Sequence, residues 1–210
     1  MRNTVRNLRL IIPVALAILV TVSACDGSEE EGGAMKQWSK APEMMIDVNK
    51  VYKFTIETTL GTMTGELHAM DAPVTVNSFV FLAREGYFDG VIVHRVLKGF
   101  VLQTGDPTGT GTGGPGYRFH DEEVVGEYMK GTLAMANSGP NTNGSQFFVV
   151  LDDLRNRLPK DYTIFGQVDE TGFGVIDAIA DVEVKVPAGG SEKSRPVDEI
   201  IVQKVTIEEQ

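Results

Sequence analysis

The chain has 210 residues, of which 42% are hydrophobic and 23% charged, and its formal net charge is −10. That length holds one good core and falls short of two domains of usual size, while the acidic balance argues against a nucleic-acid binder, which needs clustered Lys and Arg to meet phosphate. The single cysteine, Cys25, cannot form an internal disulfide.

Residues 1–24 carry Arg2, Arg6 and Arg9 and no acid, followed by an apolar run from Leu10 to Val22 broken once by Pro13. The run is shorter than the roughly 20 residues of a spanning helix and fits the apolar region of a secretory signal peptide. Its removal would take away three arginines and no acid, bringing the charge of −10 to −13. The run ends in Val22-Ser23-Ala24-Cys25, which resembles the bacterial lipobox and implies lipid on the Cys25 sulfur. The alternative is a plain signal peptide or short anchor with an incidental cysteine. Residues 25–49 are acidic and small, without a helical or alternating apolar period, and read as a flexible tether. Trp38 and Met44-Met45-Ile46, near its end, could pack on the domain or bind something, with a stray contact expected ahead of a site.

The folded domain is expected over residues 50–210. Tyr52, Phe54 and Ile56 alternate with polar neighbours, a second run covers Met63 to Leu67, and Thr59-Leu60-Gly61-Thr62 between them reads as a hairpin turn. Asp71 is the expected N-cap of a helix in which Pro73 suits the first turn, Val76, Phe79, Val80 and Ala83 repeat at helical spacing, and Gly86 stops the run. Further strand-like runs lie at 91–97, 99–103, 131–136, 146–151, 162–168 and 198–207, with a second short helix at Val175 to Ala180. The fold class is therefore mainly β, and many short strands with two helices suggest a closed antiparallel barrel.

Two stretches stand out, VIVHRVLKGFVLQTGD (91–106) and LAMANSGPNTNGSQFFVV (133–150). Each sets polar groups inside an apolar strand-like run: His94, Arg95 and Gln103 in the first, Asn137 and Gln146 in the second. Such groups cost free energy unless something pairs with them. Singly, each reads as part of a structural hydrogen-bond network; together they read as a site.

Both stretches resemble the cyclophilins, a family of peptidyl-prolyl isomerases, through His94-Arg95-Val96, Gly99-Phe100, Gln103-Thr104-Gly105-Asp106, Met135-Ala136-Asn137 and Gly139 through Phe148. The likeness runs from about Tyr52 to Ile207. It implies an eight-stranded closed barrel capped by two helices, no cofactor and no metal, and proline-containing polypeptides as substrates. By resemblance, Arg95 donates to the proline nitrogen, Gln103 orients Arg95 and the substrate carbonyl, and Phe100, Val101, Phe148 and Leu158 line the pocket for the proline ring. The backbone at Asn137 bonds the substrate chain, Ala136, Gln146 and Tyr162 complete the groove, and His94 either borders it or is a satisfied structural histidine. Val93 and Val101 replace a Phe and a Met of the commonest pattern, and Tyr162 stands where many eukaryotic members have His. Arg157 falls where members sensitive to cyclosporin carry Trp.

Other signals lead elsewhere. The stretch Gly109 to Gly114 contains GxGxxG but runs into Pro115-Gly116 and not into a helix, so it does not read as a phosphate cradle. The three histidines lack metal-ligand spacing. Asn143-Gly144-Ser145 is a formal glycosylation sequon in a chain with a bacterial-type leader, and no serine has the context of a nucleophile. The expectation is thus a monomeric prolyl isomerase, lipid-anchored on the outer side of a bacterial cell membrane or periplasmic, acting on secreted or envelope proteins as they fold. A non-catalytic peptide-binding or chaperone module on the same fold, and a solute-binding lipoprotein, are the alternatives.

Overall fold

The structure, a computed structural model, describes residues 35–210 besides Met1, and Met35–Gln210 form one compact unit. The expected signal peptide, the lipidated Cys25 and the tether up to residue 34 lie outside the described residues.

Strands β1 (Tyr52–Thr58) and β2 (Gly61–Leu67) form the expected hairpin, with Thr58 opposite Gly61 across a two-residue turn. The Thr58 hydroxyl closes the turn, donating to the Gly61 carbonyl at 2.8 Å and accepting from the Leu60 N–H at 3.1 Å. Six more strands complete one antiparallel sheet: β3 (Arg95–Leu97), β4 (Val101–Thr104), β5 (Thr132–Met135), β6 (Phe147–Val150), β7 (Ile164–Val168) and β10 (Val202–Glu209). Their order is β10-β1-β2-β7-β5-β6-β4-β3. Two short strands, β8 (Val184–Lys185) and β9 (Arg195–Pro196), pair apart from it.

The sheet is an open half-barrel of 203°, which corrects the closed barrel expected from the sequence. The reason lies in its last strand. Only Arg95–Leu97 of the apolar run 91–97 joins the ladder, so β3 is too short to zip onto β10. Instead, residues 90–93 lace the gap: Gly90 N–H donates to Val202 C=O, Val202 N–H to Val91 C=O and Val93 N–H to Ile200 C=O, each at 2.8 Å, around a single bridge between Ile92 and Ile201.

Helix α1 (Pro73–Arg84) starts with Pro73 in its first turn and turns its apolar face inward, burying Val76, Phe79, Val80 and Ala83 as the spacing predicts. Phe79 meets the rings of Phe88, Phe147 and Phe165 at 5.2, 5.5 and 5.2 Å. The expected Asp71 cap is not made. The N-cap is Ala72, without a side-chain bond, and the carboxylate of distant Glu122 takes the first N–H groups. A 3₁₀ turn (Glu170–Gly172), capped by the Asp169 side chain, leads into α2 (Phe173–Ala180), which buries Ile176 and Ile179.

The core has two parts. The larger lies inside the half-barrel under α1 and α2; the smaller gathers Val101, Tyr128, Ala134, Phe148, Val150, Leu154 and Ile164 on the outer face of the sheet. Strands β5 and β6 are therefore covered on both faces, which is why Leu133–Met135 and Phe147–Val150 read as unbroken apolar runs and not as alternation.

Residues 35–49, expected as tether, lie on the domain. Trp38 packs edge-on against Phe81 at 5.0 Å and donates its backbone N–H to Pro115 C=O at 2.8 Å. Ile46 is buried, and the Asn77 side chain holds both Met45 N–H and Glu43 C=O. The segment has no helix or strand, consistent with its lack of a period, but its polar backbone groups and its one indole find partners on the domain surface.

Candidate active site

The antiparallel register places Arg95 opposite Gln103, Gln103 opposite Phe148, and Phe148 opposite Ala134, so a row of side chains crosses β3, β4, β6 and β5 on one face. Because side chains alternate along a strand, Val101 shares that face with Gln103. It is the outer face, where the smaller core comes up beneath the row. A cavity of about 130 Å³ opens there, lined by Arg95, Phe100, Val101, Gln103, Ala136, Asn137, Phe148, Leu158 and Tyr162. A drug-sized ligand needs roughly 300–1,000 Å³, so this cavity suits one compact apolar group. Nine of the eleven domain residues expected at the site meet around it.

Next to it lies a wider cleft of about 840 Å³ that shares Gln103, Ala136 and Asn137 and adds Gln37, the glycine-rich loop from Gly111 to Gly114, and Gln146. The two openings form one groove with a narrow apolar end and a broad polar one. Gln103 Nε2 donates to Gln146 Oε1 at 2.9 Å, and Gln146 Nε2 donates to Gly113 C=O at 3.0 Å, a relay that fixes the floor between them.

This relay bears on one part of the role expected of Gln103, the orienting of Arg95. Gln103 Nε2 donates to Gln146, its Oε1 has no protein partner among the described residues, and no hydrogen bond joins it to Arg95. The guanidinium is held instead by Glu192, whose carboxylate accepts from Nε at 2.8 Å and from Nη2 at 3.3 Å. Those bonds and the charge of Arg95 hold the Glu192 carboxyl below the usual carboxylate range. Sequence reasoning missed Glu192, which sits 97 residues from Arg95 in an irregular loop that carries no pattern.

His94 lines neither opening of the groove, lying instead beneath Gly111, where an added Cβ would meet its ring at 3.9 Å. Adjacent to Arg95 on the strand approach, it points to the other side, where it is 8% exposed and neither ring nitrogen has a hydrogen-bond partner. Burial lowers its pKa from the ordinary histidine value; nearby Asp106 opposes this, and Arg195 and Arg95 add to it. An imidazole so placed stays neutral at neutral pH.

Asn137 ends the strand run after Met135. Its side chain is spent locally, donating to Asp161 C=O at 2.9 Å and accepting from Gly139 N–H at 3.2 Å, while its own backbone N–H and C=O have no protein partner among the described residues. That exposed peptide edge can pair with an extended chain lying in the groove. The far wall is built on Tyr128, another residue the sequence did not signal: its hydroxyl donates to Tyr162 C=O at 2.8 Å and accepts from Tyr162 N–H at 3.1 Å. Burial pushes the Tyr128 hydroxyl up to about 12, so it remains a donor. Tyr162 in turn meets the Phe148 ring edge-on at 5.5 Å.

The GxGxxG stretch wraps a carboxylate. Asp106 is fully buried, with Oδ1 accepting from Thr108 N–H at 2.7 Å and Oδ2 from Gly111 and Gly113 N–H at 2.6 and 3.1 Å. Although burial pushes the Asp106 carboxyl up, the bonds from Thr108, Gly113 and Gly111 hold it below its usual value. Those N–H groups are thus unavailable to a phosphate. A Cβ on Gly113 would stand 2.1 Å from Asp106 Oδ1, so the close wrap itself requires glycine. Among the described residues, no group of three or more His, Cys, Asp or Glu is placed to hold a metal ion.

Comparison with known proteins agrees with this geometry. The model of the family described as cyclophilin type peptidyl-prolyl cis-trans isomerase/CLD matches residues 53–207. A probable peptidyl-prolyl cis-trans isomerase B of Mycobacterium tuberculosis is 44% identical over 154 residues, covering 66% of this chain and 48% of that protein. A peptidyl-prolyl cis-trans isomerase-like 1 protein of Gibberella zeae is 44% identical over 160 residues, covering 74% of this chain and 94% of that protein. The chain thus spans about half the length of the mycobacterial relative and nearly all of the fungal one. A crystal structure of a cyclophilin type isomerase of Cryptosporidium parvum, determined in the presence of the dipeptide Ala-Pro, superposes with a TM-score of 0.67 at 35% identity, covering 74% of this chain and 98% of that one.

Proposed function

This chain belongs to the cyclophilin type peptidyl-prolyl cis-trans isomerase family, and from that premise we propose that it accelerates rotation about X-Pro peptide bonds. The observation that carries the reading is a guanidinium, that of Arg95, on the wall of a small apolar cavity floored by Phe148 and Val101. Amide resonance gives the bond a barrier of about 18–20 kcal/mol, so uncatalysed rotation takes tens to hundreds of seconds. Twisting localises a lone pair on the proline nitrogen. A donor placed there stabilises the twisted state with no nucleophile, base or cofactor.

Arg95 suits the task because its fork stays charged and Nη1 has no protein partner among the described residues. It cannot supply the whole effect. Five decades of rate require about 7 kcal/mol, and one preorganised donor gives about 2.7–4. The remainder comes from seating the ring among Phe100, Phe148 and Leu158, from the peptide edge at Asn137, and from excluding water around the rotating bond.

The substrates in this reading are secreted or envelope polypeptides, and the protein is held outside the bacterial cytoplasmic membrane by lipid on Cys25; the basic start, the short apolar run and the lone cysteine support this. The cis-to-trans conversion of a short X-Pro peptide tests the catalytic reading. The wild type should catalyse it, Arg95→Ala should lose at least two decades while remaining folded, and Arg95→Lys should also be impaired. A folded wild type without activity hands the case to a non-catalytic peptide-binding module.

A further inference from the structure

The loop between β8 and β9 brings one acidic side chain to the groove, and we infer that Glu192 is a positioning residue for the reaction, holding the Arg95 guanidinium in its working orientation. The inference rests on the reading of Arg95 as the donor to the proline nitrogen.

An arginine has four rotatable bonds, and a donor that must meet one atom in a twisted state is effective only if that freedom is removed beforehand. Arg95 is fixed at both ends. Its backbone lies in β3 opposite Gln103, and its head is gripped side-on by Glu192 through Nε and Nη2. Holding Nε as well as one Nη sets the plane of the guanidinium and not merely its place. Nη1 is left free of protein partners among the described residues, on a side chain that lines the cavity.

The grip is itself anchored. Val96 N–H, next to Arg95, donates to Ser194 C=O at 2.7 Å, and Ser194 N–H donates to Lys185 C=O at 3.2 Å, so the chain two residues beyond Glu192 is bound to the strand that carries Arg95. One step further, Arg195 Nη1 donates to Gly109 C=O at 2.6 Å, tying the same segment to the glycine-rich loop at the broad end of the groove. Gln103, the other polar neighbour in the row, makes no hydrogen bond to Arg95, whose side-chain acceptor is the Glu192 carboxylate. The side chains of Arg95 and Glu192 are 30% and 48% exposed, so the pair is screened by solvent and its effect is graded, not absolute.

The test compares Glu192→Gln, Glu192→Asp and Arg95→Lys, singly and combined, with Arg95→Ala as reference, in the X-Pro peptide assay. Glu192→Gln should lower kcat/KM by about three- to tenfold, chiefly through kcat, because the contact organises the twisted state more than it binds the ground state. Glu192→Asp should recover part of the loss. In the Arg95→Lys background the Glu192→Gln change should have little further effect, since the fork it orients is gone. Added salt should lower wild-type activity towards that of Glu192→Gln, and the Arg95 Nε–H resonance should shift in the variant. Unchanged activity in Glu192→Gln would show a bystander ion pair, and increased activity would show a carboxylate that competes with substrate; either overturns the inference. An equal loss in the Arg95→Lys background also overturns it, by pointing to a general effect of the loop. If Arg95→Ala is fully active, the catalytic reading itself falls and the inference with it; if Arg95→Ala is inactive while Glu192→Gln is unaffected, the inference alone is lost.

Discussion

The carboxylate of Glu122 caps helix α1 from 47 residues away, with Oε2 accepting from the Thr75 N–H at 2.8 Å and from the Thr75 hydroxyl at 2.7 Å. Its other oxygen takes the Val74 N–H at 2.9 Å. A helix begins with unsatisfied N–H groups and a partial positive charge, and a carboxylate there answers both. The same residue is bound through its backbone to the Thr163 hydroxyl, beside Tyr162 of the groove wall. Glu122→Ala should therefore cost about 1–2 kcal/mol of stability, and Glu122→Gln somewhat less, since the amide keeps one acceptor. Equilibrium denaturation reads both, and an unchanged midpoint in Glu122→Ala would show that water caps the helix as well.

The difference between expectation and structure is instructive at this cap. Asp71, Pro73 and Gly86 mark the ends of α1 by local chemistry, and the helix runs between them, but the bond that satisfies its first turn is tertiary. The same division holds at the groove. Arg95, Gln103, Asn137 and Gln146 were legible because polar groups inside apolar strands are costly and conspicuous. Glu192 and Tyr128 were not, because an acid in a glycine-containing loop and an aromatic in an irregular stretch are what a surface and a core ordinarily contain. The choice at His94, groove border or structural histidine, stays open in the sequence for a related reason: alternation puts neighbours on opposite faces, and with both faces covered a polar pair does not reveal which member faces the groove.

Residues 35–40 should matter to the domain. Trp38 covers Phe81 and Tyr87, at 5.0 and 5.8 Å between ring centres, and Gly116 approaches the Trp38 backbone so closely that a Cβ there would meet its carbonyl oxygen at 2.7 Å. A protein begun at Ala41 should melt several degrees below one begun at Met35, and Trp38→Ala should reproduce most of the loss, about 1–3 kcal/mol for a half-buried aromatic. Because Gln37 lines the broad end of the groove, the shorter form should also show altered KM. Equal melting temperatures would mean that the segment adheres without stabilising.

Stability should fall on mild acidification through His94. Its folded-state pKa is depressed, first of all by burial, so between that value and about 6.5 the unfolded chain binds a proton that the folded one does not. Stability therefore rises with pH across this window and is lost as pH falls below about 6.5. The depressed carboxyls of Asp106 and Glu192 act in a separate, lower window, contributing stability above the ordinary carboxylate range and losing it below. Thermal unfolding at pH 7.5 and 5.5 should show a drop in the wild type that is smaller in a folded His94→Gln variant. The same drop in both would assign it to other groups.

Cyclosporin should bind much more weakly here than to members with Trp at the place of Arg157. The Arg157 side chain is 55% exposed and lies 3.8 Å from the Asp152 carboxylate, a hydrated ion pair beside Leu158 at the groove rim. It offers neither the apolar area nor the N–H of an indole. Turnover of small X-Pro peptides should be nearly unaffected in Arg157→Trp while affinity for the drug rises. Tight, stoichiometric inhibition of the wild type would refute this.

The last prediction follows from the proposed anchor. If the leader is cut before Cys25 and lipid is added there, the mature protein should sediment with membranes, because two or more acyl chains hold a protein stably where one binds reversibly, at about 0.8 kcal/mol per buried CH₂. Because Trp38 packs on the domain, the proposed tether between the lipid and the domain is shorter than the 25–49 expected from the sequence and would be confined to residues 26–34. Such a stretch, fully extended, reaches roughly 30 Å. That is a few Debye lengths at physiological salt, so the acidic run Glu29-Glu30-Glu31 is repelled by anionic lipid and the domain stays near the surface without resting on it. Lengthening the tether should leave peptide turnover unchanged and alter only access to large, membrane-proximal substrates. Cell fractionation with mass spectrometry of the N-terminus decides the premise. An unlipidated Cys25, or a Cys25→Ser protein that remains membrane-bound after its leader is removed, would show that the domain is held by something other than this cysteine.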